Sequence, residues 1–344
     1  MGALEFAHDL ATVRALTPDF APLKVAPRAH HFSLGLGLTS RCNFRCPICY
    51  YHDAPAPRAA RDMPLPLLKS LLAPLPQLAS VCMGLEGEPF CHPRLFDALD
   101  MVAAHADCLN IVSNGSLVDG EAAERLCRYP LGSLALSIDA GDEAAYRRFR
   151  QGGELRVFMK NGARLAGRLG PRVCLHTVVF AENLDSLARL PDVAAEMGVS
   201  PISLQQLRPT AGSRQRNVHP AKGEFLKEGL ERMMDSAERR GIVLFFDARF
   251  ANREIMDHLQ GLAQNSTCIR IQKCAGGTCS QLSTFTSILG DGTLFPCCGD
   301  FTPAPIRHHS FDGIFNHEYL QRLRFLHRKK NAHLPPCRTC LHEE

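Results

Sequence analysis

Three thiols crowd into one short loop. In RCNFRCPICYYHD (41–53), Cys42, Cys46 and Cys49 are spaced C-x3-C-x2-C. Thiolates are soft ligands that suit zinc or iron–sulfur clusters. Buried structural cysteines are the poorer reading, because Arg41, Asn43, Arg45 and Pro47 make a polar, loop-like surround. Zinc sites usually pair two cysteines in one knuckle with two ligands elsewhere. An iron–sulfur cluster draws several thiolates from one compact loop. The spacing therefore favours a cluster, and three cysteines leave its fourth position open.

A second group gathers after residue 260. Cys279 precedes a hairpin pattern, Cys297 ends it, and Cys337 and Cys340 form a C-x2-C knuckle. Two ligands on a hairpin and two on a knuckle would close a site of four thiolates, which zinc accepts as well as iron–sulfur. Cys268 or Cys274 could stand in for Cys279. Cys298, next to Cys297, reads either as a hydrogen-atom donor or as a buried neighbour. Cys82, Cys108 and Cys174 fall in strand patterns and read as core. His92 and His176 fall near strand ends, where they could face a site, whereas His30, His31, His308 and His309 read as loop residues.

The rest of the chain must position these thiols. Its 344 residues carry 15 cysteines, 45% hydrophobic and 22% charged residues, and a net charge of +4. That composition is globular, with a sizeable core. The one basic cluster, RFLHRKK (324–330), is short and lies on a helical pattern, which argues against a nucleic-acid partner. No apolar run is long enough for a membrane span, and MGALEFAHDL carries acids where a signal peptide would be basic. A cytoplasmic protein is expected. In that reducing compartment clustered cysteines read as metal or catalytic sites, not disulfides.

Strand and helix patterns alternate from residue 31 onward. HFSLGLGLT (31–39), SVCMGL (80–85), CLNIVS (108–113), SLALSID (133–139), RVCLHTVVF (172–180) and ISLQQL (202–207) read as strands. Helical patterns fall at 93–106, 119–129, 142–149, 154–168 and 184–198. About six such repeats imply an α/β fold with a parallel sheet. A helix (222–240), a strand (242–246), a hairpin turning at Gly290-Asp291-Gly292 and a helix (316–330) follow. GLGLTS (35–40) imitates a dinucleotide fingerprint but has Ser40 in place of the third glycine.

The cysteine loop after the first strand resembles the signature of the radical SAM enzymes, apart from Ile48, where the family usually has an aromatic residue. Further segments resemble the family's in order. EGEP (86–89) resembles its Gly-Gly-Glu-Pro, with Glu86 for the first glycine. SNGSLV (113–118), LALSIDA (134–140), RRFRQGG (147–153) and TVVFAENL (177–184) follow. The resemblance implies a partial (β/α)6 TIM-like barrel. It implies that Cys42, Cys46 and Cys49 hold a [4Fe–4S] cluster whose fourth iron binds S-adenosylmethionine. It places Glu86, Gly87, Glu88, Ser113, Asn114, Ser137, Asp139 and Arg150 about that cofactor, with Arg150 on the methionine carboxylate. The C-terminal region resembles the twitch form of the SPASM domain. That implies an auxiliary [4Fe–4S] cluster on Cys279, Cys297, Cys337 and Cys340 in a small α+β domain.

The implied activity is reductive cleavage of S-adenosylmethionine to a 5′-deoxyadenosyl radical, which abstracts hydrogen from a substrate carbon. An electron donor such as flavodoxin or ferredoxin would supply the electron. The expected organisation is a lead-in over 1–32, the barrel over 33–210, a connecting segment over 211–259 and the auxiliary domain over 260–344. Few residues precede the first strand, so a leader-binding domain is not expected. That favours an oxidoreductase acting on a small molecule, such as a sugar or aminocyclitol intermediate, by two-electron dehydrogenation. The alternatives are a radical epimerase with a cysteine hydrogen donor, a peptide-modifying enzyme and a zinc-binding scaffold.

Overall fold

The computed structural model describes residues 10–49, 61–207, 217–247, 253–272, 281–295, 308 and 310–328. The strands are β1 (Ser33–Leu36), β2 (Ser80–Met83), β3 (Leu109–Ser113), β4 (Leu131–Ser137), β5 (Val173–Val179), β6 (Ile202–Gln206), β7 (Leu244–Phe246), β8 (Ile269–Ile271), β9 (Phe285–Ile288) and β10 (Leu294–Phe295). The helices used below are α1 (Leu10–Ala15), α2 (Leu65–Leu72), α3 (Leu95–Ala103), α4 (Gly120–Leu126), α5 (Glu143–Phe149), α6 (Leu155–Leu169), α7 (Leu184–Leu187), α8 (Leu190–Met197), α9 (Gly223–Arg240), α10 (Arg253–Ala263), α11 (Phe311–Phe315) and α12 (Glu318–Arg328). Among the described residues no helix is long and apolar enough to cross a membrane.

The chain divides into two compact units. The first draws on residues 1–41, 59–111 and 275–344. Its strands run in the order β10-β9-β1-β2-β3. β1 pairs in parallel with both β2 and β9, and β10 returns antiparallel along β9. The hairpin expected near Gly290 is therefore present, and its first strand extends the sheet beside β1. The first unit also holds the N-terminal lead-in, which is tied to α11 and α12. The Leu23 and Val25 amides donate to Gln321 Oε1 (2.8 Å) and Asn316 Oδ1 (2.9 Å). The rings of Phe20 and Phe325 meet edge-on at 5.7 Å.

The second unit draws on residues 42–58 and 112–274. Its order β4-β5-β6-β7-β8 is parallel throughout. Side chains alternate as the period of two requires. In β5, Val173, Leu175, Thr177 and Val179 are buried, while Cys174, His176 and Val178 between them are half-buried. Helix α6 buries Leu155, Phe158, Gly162, Leu165 and Leu169, a stripe at helical spacing. Asp119 and Asp142 cap α4 and α5 by accepting the amides of Ala122 (2.8 Å) and Ala145 (2.9 Å). The helix expected over 184–198 is two, α7 and α8. Pro191 sits in the first turn of α8, where its missing amide costs nothing. Residues 211–259, read from the sequence as a connecting segment, supply α9 and β7, and β7 pairs in parallel with β6.

Glu318 receives Arg14 and Arg322, and these bonds hold its carboxyl down from an ordinary 4.5 to about 2. A depressed native pKa stabilises above the unfolded value and is lost as pH falls through the native one. Protection of the Leu23 and Val25 amides should therefore fall as pH drops from about 4.5 toward about 2. At neutral pH Glu318→Gln should lower that protection roughly two- to five-fold, the worth of an exposed ion pair, as read by amide hydrogen exchange.

Candidate functional site

The cysteine loop is held by the turn that follows α5. Cys46 is buried, and Cys42 and Cys49 are half-buried. The Arg45 amide donates to Gln151 O (2.8 Å), and the Arg45 guanidinium donates to Cys42 O (2.7 Å) and Phe44 O (2.8 Å). The Cys49 amide closes a turn on Cys46 O (3.2 Å). Gly152, with φ of +102°, lies so close that a Cβ there would sit 2.8 Å from Asn43 O, and one on Gly153 would sit 2.6 Å from Phe44 Cζ. The two glycines of RRFRQGG thus let the turn press onto the Asn43 carbonyl and the Phe44 ring.

Asn43 joins the loop to the end of β3. Its amide donates to Ser116 Oγ (2.8 Å) and its carbonyl accepts Asn114 Nδ2 (2.9 Å). Asn114 Oδ1 in turn accepts the Ser116 amide (2.9 Å) and hydroxyl (2.6 Å). Ser113 Oγ accepts the Gly115 amide (3.0 Å). Ser113 and Asn114, read from the sequence as cofactor contacts, therefore also shape this loop.

Asp139 and Arg150 meet beside Cys46. Arg150 Nε lies 2.6 Å from Asp139 Oδ2, with Asp139 fully buried and Arg150 only 8% exposed. Arg150 Nη1 approaches Cys46 Sγ at 4.0 Å. Asp139 Oδ1 accepts the Val178 amide (2.9 Å), and Asn183 Nδ2 bridges Asp139 O and Val178 O. Burial works against the Arg150 charge, but Asp139 and Cys46 outweigh it and hold the guanidinium above its ordinary pKa. Burial pushes the Cys46 thiol up, opposed by Arg150.

EGEP lies in the other unit. Gly87, at φ +62°, fits where a side chain would strike the Thr39 and Arg41 carbonyls. The Glu88 amide donates to Arg41 O (2.7 Å), one residue before the cysteine loop begins. Glu88 Oε1 accepts the Phe90 amide (3.3 Å). Glu86 Oε1 accepts the Gly290 amide (2.5 Å). His92 bonds Met63 O and the Arg94 amide. Cys268 is buried, its thiol 3.8 Å from Ala237 O on α9. Cys82 and Cys174, expected in the core, are half-buried in their strands, and burial pushes the Cys174 thiol up to about 11. Cys108 is half-buried and directly precedes β3. Cys274, Cys279, Cys297, Cys298, Cys337 and Cys340 lie outside the described residues.

Ser137, His176, Ser203, Phe245 and Arg270 occupy one register row across β4–β8. His176 is pushed toward neutrality first by burial, with Asp139 opposing. The sequence reading missed Asn43, Ser203 and Tyr146. The Tyr146 phenol is fully buried, has no hydrogen-bond partner among the described residues, and its pKa is raised by burial. Its signal was its place on α5, four residues before Arg150.

The residues suit the groups the motifs imply. Asp139 Oδ2 and Arg150 Nε touch without forming an aligned hydrogen bond, so buried directional capacity remains beside Cys46. An anion and a forked cation together suit a zwitterionic amino-acid group. Among the described residues no three His, Cys, Asp or Glu side chains converge on one point as a single ion would require. A cluster needs no such convergence, because each thiolate serves a different iron.

A thiol loop at the end of the first of a series of parallel strands, backed by a buried Arg–Asp pair, defines an iron–sulfur protein of α/β architecture. The radical SAM superfamily profile matches residues 36–192, and that of SPASM, an iron–sulfur cluster-binding domain, matches residues 279–341. The chain carries a radical SAM domain followed by a SPASM domain, and its fold is the unclosed partial barrel of radical SAM structures. Its cofactors are S-adenosylmethionine and [4Fe–4S] clusters, an auxiliary one among them.

It is similar to the tungsten-containing aldehyde ferredoxin oxidoreductase cofactor-modifying protein of Pyrococcus furiosus, 27% identical over 184 residues, 51% of each chain. It is also similar to the PqqA peptide cyclase of Streptomyces rochei, 26% identical over 168 residues, 48% of this chain and 46% of that one. The chain spans about half the length of these curated relatives. The solved structure of anSMEcpe with bound AdoMet and Cp18Cys peptide shares the fold at TM-score 0.61 and 15% identity, covering 90% of this chain and 87% of that one.

Removing one partner of a buried ion pair strands the other. Asp139→Asn should lower unfolding stability by about 3 kcal/mol in urea denaturation. Gly153→Ala should displace Phe44 and reduce the iron bound after anaerobic reconstitution. Gly167→Ala, whose methyl would meet open space, should leave iron content unchanged.

Proposed function

We propose that this radical SAM enzyme modifies a peptide, abstracting hydrogen from one of its carbons. The observation that carries this reading is the similarity to a peptide cyclase over 168 residues, joined to a fold shared with a structure that holds a peptide. The preference for a small molecule, drawn from the short N-terminal lead-in, has less support. The name of the Pyrococcus relative keeps it as the second reading.

The clusters and S-adenosylmethionine, when bound, supply reductive cleavage and a carbon-centred radical. The chain's residues would do the rest. Cys42, Cys46 and Cys49 would hold the first cluster, and Glu88 would meet the ammonium of the cofactor's methionine part. Arg150, kept charged by Asp139, would take its carboxylate. Gly87, Ser113, Asn114 and Ser137 would line the remainder. Cys279, or Cys274 in its place, would join Cys297, Cys337 and Cys340 around the auxiliary cluster, within the boundaries 33–210 and 260–344 proposed for the two domains. The row Ser137–His176–Ser203 offers hydroxyls and a neutral imidazole, groups that pair with peptide amides without demanding charge.

The test is anaerobic incubation of the reconstituted chain with reductant, S-adenosylmethionine and a deuterated synthetic peptide library. Formation of 5′-deoxyadenosine should rise at least about tenfold over the peptide-free rate, roughly a 1.4 kcal/mol effect, with deuterium in the nucleoside by mass spectrometry. A comparable rise with sugars or aminocyclitols, and none with peptides, would overturn the reading.

A further inference from the structure

Glu86 occupies the position where the resembled motif has glycine, and its side chain has its own bond. Its carboxylate is buried and Oε1 accepts the Gly290 amide at 2.5 Å. Gly290 opens the turn between β9 and β10, and the turn is closed by the Gly292 amide on Leu289 O (2.9 Å) and the Thr293 amide on Asp291 Oδ1 (3.0 Å). Two glycines make room for the carboxylate. A Cβ on Gly37 would lie 2.7 Å from Oε1, and one on Gly290 would lie 3.1 Å from it.

A second link runs from the same turn. Asp291 pairs with Arg61, whose amide donates to Ser40 Oγ (2.8 Å) and whose carbonyl accepts the Ser40 amide (2.8 Å). The Gly37 amide donates to Ile288 O (2.8 Å). The hairpin turn is thus fastened both to the end of β1, which leads into the cysteine loop, and to EGEP.

We propose that Glu86 is a positioning residue. It locks the β9–β10 hairpin to the S-adenosylmethionine segment, so that the hairpin presents the auxiliary-cluster ligand that follows β10 in the sequence. Its neighbour Glu88 serves the other end of the segment, donating its amide to Arg41 O. One side chain therefore joins the hairpin turn to the EGEP segment. The locking role stands on the Glu86–Gly290 bond alone, while its effect on iron rests on Cys297 being a ligand.

The experiment compares Glu86→Gly, Glu86→Gln and Cys297→Ala after anaerobic reconstitution. It measures iron per chain, the electron paramagnetic resonance spectra of the reduced clusters and exchange at the Gly290 amide. Two [4Fe–4S] clusters carry about eight irons. Glu86→Gly should expose the Gly290 amide to exchange and alter the auxiliary spectrum, with iron falling toward about four per chain. The spectrum of the first cluster should persist. Glu86→Gln keeps an acceptor oxygen and should restore both protection and spectrum. A Glu86→Gly variant with unchanged Gly290 exchange overturns the lock. If exchange rises but the auxiliary spectrum and iron stay as in the parent, the coupling is overturned. If Cys297→Ala keeps its iron, the ligand assignment fails instead, and Gly290 exchange alone decides the lock.

Discussion

The Asp139–Arg150 contact is the constraint on which the second unit depends. Two opposite charges are buried together at 2.6 Å, and neither would be tolerated alone at that depth. Each is built into local structure as well. Asp139 is gripped by the Val178 amide and by Asn183, while Arg150 ends α5, its amide on Tyr146 O. Because Arg150 also reaches toward Cys46, and its successors Gln151, Gly152 and Gly153 press on the cysteine loop, the pair links strand, helix and thiols.

The side chains proposed to meet the cofactor thus also serve architecture. Asn114, Ser113 and Glu88 all bond backbone near the loop or the strand ends. In a site that must hold a charged ligand, orientation set in advance lowers the cost of binding. The Gln151 carbonyl on the Arg45 amide, and Ser116 and Asn114 on the Asn43 side chain, hold the loop from two flanks. Glu86 extends the principle to the hairpin of the first unit.

Much of the second unit was legible because parallel strands and amphipathic helices declare themselves by period. The buried stripe of α6 and the alternation in β5 match the sequence pattern. The 184–198 segment was misread as continuous, since its apolar spacing runs through a break that Pro191 allows. β9 falls in the segment read as the auxiliary domain. Its partner β1 lies some 250 residues earlier, and no local pattern records that pairing.

The sequence by itself determined the cofactor chemistry and left the substrate open. Thiol spacing in the first loop favoured iron–sulfur over zinc, and the resemblance of the ordered motifs to a family implied the cofactor, because ligand number and charge are properties of residue type. Tertiary structure alone decided which groups neutralise each other and which hold backbone. Asp139 and Arg150 are eleven residues apart and Glu86 and Gly290 are 204 apart. Burial makes each of those encounters decisive, and burial is a property of the folded chain.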